Sequence, residues 1–191
     1  MHAVKLEGGI EYAEHVSLLT KSGIPVMGHI GFTPQSEHAL GGYKVQGRGS
    51  TCDKLYKDAD ALERAGAFAC LLELVPNNVA RQITDNLEIP TVGIGAGPYC
   101  DAQILVWADM AGFSAPKSKP IGVAPSYLGG DINKSDDKSD AQKSTARLEL
   151  SRVPKFVKRY ANLSDVLYKA VLEYADDVKS GKYPGPDHCY E

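Results

Sequence analysis

Five short apolar runs, each separated from the next by a linking segment, constrain this chain more than any other feature. The runs are 3–7, 24–29, 67–74, 89–94 and 103–107. Residues 10–21 carry Ile10, Ala13, Val16, Leu18 and Leu19 at helical spacing, with Gly23 as a stop. Residues 53–65 repeat the pattern with Leu55, Ala59 and Leu62, ending at Gly66, and residues 77–86 with Val79, Ala80 and Ile83. Apolar strands of this kind, alternating with helices, are the signature of a parallel sheet covered on both faces. The expected class is therefore α/β. A strand that opens at residue 3 is either a sheet edge or has lost what precedes it.

The rest of the chain is organised around that alternation. Residues 37–49 are rich in glycine and polar side chains and read as a loop. A long closing helix is expected from Phe156 to Lys179, on a stripe running from Phe156 through Tyr160, Leu163, Leu167, Val171 and Tyr174 to Val178, with Gly181 as its cap. Residues 114–153 differ in character. The stretch from Ser126 to Thr145 is polar, mixed in charge and nearly free of large apolar residues. It cannot bury enough surface to offset its ordering entropy, so a disordered insertion is expected. The expected organisation is a body over 1–113, the insertion over 114–153, and a helix and tail of the same domain over 154–191.

Composition removes several function classes. The formal net charge is −3, so no broad basic field exists to neutralise a phosphate backbone, and nucleic acid is not an expected partner. No apolar run approaches the roughly 20 residues that span a bilayer, so no membrane partner is expected. The first residues show no signal-peptide core. Cys52, Cys70, Cys100 and Cys189 form no CxxC pair. That argues against a zinc ribbon or disulfide scaffold, and for a reducing compartment.

Polar residues gather at the C-terminal ends of the strands. Lys5 and Glu7 are two apart, so a strand points them to one side. His29 ends the second strand, Glu73 the third, and Gly95-Ala96-Gly97 follows the fourth. Parallel α/β folds build their sites at that end. Each residue also has a plainer meaning. Lys5 and Glu7 can pair at a surface edge, a lone histidine is more often a satisfied structural one, and the glycines can serve a tight turn. Glu73 is harder to dismiss, because a carboxylate within an apolar strand is costly unless paired, hydrogen-bonded or metal-bound. Two carboxylates, a lysine and a histidine on one face suit proton abstraction beside a carbonyl, with a hard cation and lysine stabilising the enolate.

The strings Val4-Lys5-Leu6-Glu7-Gly8-Gly9, Gly28-His29-Ile30-Gly31-Phe32-Thr33-Pro34-Gln35-Ser36, Gly41 to Gly49, Leu72-Glu73-Leu74-Val75-Pro76 and Val92 to Gly97 resemble the ketopantoate hydroxymethyltransferase family in order and spacing. Phe156 to Ala161 and Tyr183 to His188 look like it too. The resemblance covers 3–113 and 154–190. It implies a partial TIM-type (β/α)8 barrel, about strands four to eight, because the family has a further region before the Val-Lys-Leu-Glu-Gly-Gly strand. That region holds the first three barrel strands and two aspartates of the metal site. It implies transfer of a hydroxymethyl group from the co-substrate 5,10-methylenetetrahydrofolate to 3-methyl-2-oxobutanoate, giving 2-dehydropantoate in pantothenate biosynthesis. Mg2+ is the implied metal. By motif, Glu7 looks like a magnesium ligand, Lys5 like a residue that binds the keto acid, Glu73 like the proton acceptor, and His29 like a member of the same pocket. The family is oligomeric, so a homo-oligomer is implied for the full-length form, in the cytoplasm or, alternatively, in mitochondria. An N-terminally truncated enzyme is the reading that follows; the alternative is a non-catalytic half-barrel that needs a partner or is a gene-model fragment.

Overall fold

A computed structural model describes residues 2–114 and 154–189. The polar stretch 115–153 lies outside the described residues, and the expected insertion with it. The chain divides into two compact units, Met1–Leu105 and Val106–Glu191.

The first unit is α/β. Its strands are β1 (Val4–Glu7), β2 (Val26–Gly31), β3 (Ala69–Glu73), β4 (Thr91–Ile94) and β5 (Ala102–Gln103). They form one parallel sheet in sequential order, β1-β2-β3-β4-β5. The linking helices are α1 (Ala13–Lys21), α2 (Cys52–Arg64) and α3 (Asn77–Asn86), and α3 has the bounds expected from its periodicity. Each presents a buried stripe: Val16 on α1; Leu55, Ala59 and Leu62 on α2; Val79, Ala80 and Ile83 on α3.

These stripes pack with Val26 and Ile30 of β2 and Cys70 and Leu72 of β3 in one core, joined at its margin by Val4 and Leu6. Because strand side chains alternate, Lys5, Glu7, Met27, His29, Leu71 and Glu73 belong to the opposite face. The helices of this unit therefore lie on one face of the sheet, not on both as the apolar strands suggested. Right-handed crossovers that always advance in one direction leave every helix on the same side. His29 and Leu71 on the other face are nonetheless buried, which is why the strands read as continuously apolar.

The second unit begins with α4 (Trp107–Ala111) and contains α5 (Leu163–Ser180). Two expectations change here. The fifth strand is Ala102–Gln103 rather than 103–107: Ile104 gives a last N–H to Gly93 C=O of β4 at 3.0 Å, and Trp107 opens a helix. The closing helix starts at Leu163 rather than Phe156. Residues before it spend their backbone groups elsewhere, with Tyr160 N–H donating to Met110 C=O at 2.8 Å. Asn162 then bonds the Asp165 carboxylate at 2.6 Å as the helix begins. No residue of α5 is buried, so its apolar stripe lies exposed. Among the described residues no helix is long and apolar enough to cross a membrane.

Candidate active site

The sheet brings all four predicted residues to one face. Lys5 and Glu7 share it by the two-residue period of β1, and register sets Glu7 beside His29 of β2. Glu73 pairs in register with Gly31, two residues beyond His29 on the same side. Gly31 lets β2 approach the β3 backbone closely at Glu73. Its φ is +92°, and a Cβ placed there would lie 2.3 Å from the Glu73 carbonyl oxygen, so no other residue fits without moving β3.

The contacts run as a chain. Lys5 Nζ lies 3.6 Å from Glu7 Oε1, which lies 3.6 Å from His29 Nδ1. His29 Nε2 lies 3.3 Å from Glu73 Oε2. The histidine is fully buried, the two carboxylates nearly so, and the lysine half-exposed. The plain surface pairing of Lys5 with Glu7 exists, yet it is one end of a larger cluster. His29 departs from the plain reading in one respect. Neither ring nitrogen has a hydrogen-bond partner, although both sit near carboxylate oxygens. A structural histidine is usually satisfied, and a buried polar group left unpaired costs roughly 1–3 kcal/mol.

Two backbone features hold the carboxylates, and residue-by-residue reading of the sequence did not expose them. Gln35 donates its N–H to Glu7 Oε2 at 2.9 Å, from the first turn of the short helix Pro34–Ser36, where backbone N–H groups have no helical partner. Leu74, directly after Glu73, has φ of +50°. A left-handed non-glycine residue is strained, and such strain clusters at functional sites. Three backbone bonds lock it: Leu74 N–H to Ile94 C=O at 3.0 Å, Gln46 N–H to Leu74 C=O at 2.9 Å, and Phe32 N–H to Glu73 C=O at 2.8 Å. A backbone donor carries no residue-type signal, so Gln35 was not legible in advance.

The fit to a divalent cation can be tested on these residues. Magnesium takes near-octahedral oxygen ligands, usually one or two carboxylates with substrate and water. Glu7 Oε2 already accepts an N–H, and Oε1 faces Lys5 and His29. Among the described residues no group of three or more His, Cys, Asp or Glu side chains is placed to hold a metal. The described residues therefore do not by themselves complete a magnesium site. What the described residues do place together is one imidazole between two carboxylates, with Glu73 at 3.3 Å and Glu7 at 3.6 Å.

Comparison with known proteins adds a second line. The family model described as Ketopantoate hydroxymethyltransferase matches residues 1–128, reaching beyond residue 113 into the polar stretch. A protein of Saccharopolyspora erythraea named 3-methyl-2-oxobutanoate hydroxymethyltransferase is 49% identical over 190 residues, covering 100% of this chain and 53% of the relative. Relatives of the same name from Leifsonia xyli subsp. xyli and Acidothermus cellulolyticus are 47% and 48% identical, with 56% and 57% of their own lengths covered. The chain spans about half the length of the curated relatives it matches.

Proposed function

The chain belongs to the ketopantoate hydroxymethyltransferase family, and we propose that it serves the reaction for which its relatives are named, as part of a 3-methyl-2-oxobutanoate hydroxymethyltransferase. The observation that carries the proposal is the convergence of Lys5, Glu7, His29 and Glu73 at the C-terminal edge of one sheet face.

In this reading Glu73 takes the proton from C3 of 3-methyl-2-oxobutanoate, and the C–H electron pair forms the enolate. Lys5, half-exposed at the mouth of the cluster, holds the keto acid and offsets the negative charge that develops on it. The enolate carbon bonds to the one-carbon unit of 5,10-methylenetetrahydrofolate. The donor's carbon–nitrogen bonds to that unit break, water supplies the hydroxyl oxygen, and tetrahydrofolate and 2-dehydropantoate leave. His29, wedged between the carboxylates, orients Glu73. Glu7 is offered as one magnesium ligand only, with the substrate, water and residues outside this chain as the others.

Sequential strand order with all linking helices on one face supports a further part of the proposal: the five strands are a segment of a (β/α)8 barrel. Assembly into a homo-oligomer belongs to the proposal for the whole protein. The test joins this chain to the segment of the Saccharopolyspora erythraea relative that it does not cover, then supplies keto acid, folate donor and magnesium. Formation of 2-dehydropantoate, slowed about 10³-fold by Glu73→Gln, is expected. A folded joined protein that makes none, under conditions where the relative does, overturns the assignment.

A further inference from the structure

A carboxylate that the proposed reaction does not use is buried on helix α2. Asp58 is 2% exposed, and its position three residues after Leu55 and four before Leu62 puts a charge on the apolar face of its helix. Such burial is tolerated only where partners meet it. Asp58 has two. Its Oδ1 accepts the Ile10 N–H at 3.1 Å, at the start of the short helix Ile10–Tyr12, and its Oδ2 lies 2.6 Å from Lys54 Nζ. Lys54 also lies 3.5 Å from Glu11 Oε2.

The lysine does not explain the burial. Its side chain is 62% exposed, and a surface ion pair contributes little. What explains it is the turn after β1. Gly9 packs so closely on the aspartate that an added Cβ would stand 2.1 Å from Asp58 Cγ. The neighbouring Gly8 donates its N–H to His29 C=O at 2.9 Å. Glu7 is the residue before. Asp58 thus grips the chain two and three residues past Glu7, while Gly8 ties the same stretch to His29.

We propose that Asp58 is a positioning residue for Glu7: through Gly9 and Ile10 it holds the end of β1, and with it the Glu7 carboxylate, against β2. The functional part of this rests on the proposed role of Glu7; the mechanical part does not. Glu11 and Lys54 are accessories. Burial pushes the Glu11 carboxyl up, but the N–H groups of Glu11 and Gly9 and the Lys54 charge outweigh it, so it sits below its ordinary value. Burial likewise pulls Lys54 down, and the bonds and charges of Asp58 and Glu11 hold it above the usual lysine value.

Amide hydrogen exchange of the 191-residue chain tests the mechanical part. The diagnostic amides are Gly8 and Gln35, which touch His29 and Glu7 but not Asp58. In Asp58→Ala both should exchange about tenfold faster or more, with Leu71 and Leu72 of β3 unchanged. Asp58→Asn keeps the acceptor for Ile10 and should restore protection. Gly9→Ala forces the turn away from Asp58 and should expose the same two amides, which decides the matter if Asp58→Ala fails to fold. Parent-like protection of Gly8 and Gln35 in the folded variants, with only Ile10 opened, overturns the proposal. In the joined protein, Asp58→Ala should raise the KM for the keto acid about tenfold with kcat nearly unchanged, because misplacing a group costs binding geometry first. A fall in kcat at parent KM overturns it. A joined parent without activity would sink the proposed reaction while leaving the exchange result to decide on Asp58.

Discussion

Replacing Glu73 by glutamine isolates the proton-abstraction step. The substitution keeps the shape of the side chain, so the contact with His29 Nε2, now 3.3 Å, survives, and folding stability should change by less than about 1 kcal/mol. What is lost is the base. Loss of a positioned general base typically costs roughly 10²–10⁴ in rate. The cluster argues for the middle of that span. Glu7 cannot readily take over, since Oε2 is committed to Gln35 and Oε1 faces Lys5 and His29. Glu73 is 14% exposed, however, so water can reach the position and sustain slow exchange. About 10³-fold follows, or about 4 kcal/mol of barrier. The assay is deuterium incorporation at C3 of 3-methyl-2-oxobutanoate by the joined protein, without folate, followed by proton NMR. Omitting folate removes the later bond-forming step from the reading. Should Glu73→Gln incorporate deuterium as fast as the parent, Glu73 is not the base, and its place beside His29 serves structure alone.

Three further outcomes follow from the geometry. Lys5→Ala should raise the KM for the keto acid about tenfold or more while kcat for C3 exchange falls little; the reverse pattern in steady-state kinetics would move Lys5 from binding to chemistry. Gly31→Ala, which puts a methyl 2.3 Å from the Glu73 carbonyl oxygen at φ of +92°, should lower stability by about 2 kcal/mol in urea unfolding and misplace Glu73; an unchanged midpoint would refute the steric argument. Burial pushes the Cys70 thiol up to about 12 from an ordinary 9.0, so across that window the folded state holds a proton that the unfolded chain has released. Stability should therefore fall as pH rises above about 9, and more steeply in the parent than in Cys70→Ala; parallel urea midpoints in the two would contradict it.

Local pattern determined a good part of this protein from sequence alone. Leu55, Ala59 and Leu62, and likewise Val79, Ala80 and Ile83, recur at the helical period, and helix periodicity is a property of neighbours in sequence. Lys5 and Glu7 share a face because the strand period is two, and the placing of Glu73 at a strand end needed no partner strand to be seen, whereas β2 runs two residues past His29, which was expected to end it. The burial of Asp58 on the apolar face of α2 came from the structure alone. Elsewhere distant segments decided. Helix α5 begins at Leu163 because Tyr160 is held by Met110, far off in sequence. The run after Gln103 does not continue as a strand, whatever its apolar content, and gives way to α4 at Trp107. Whether His29 is an ordinary core histidine or an unsatisfied one between two carboxylates depends on register among three strands, and no local pattern encodes register across 66 residues. Periodicity reports which face of an element is buried; only packing reports what that face meets.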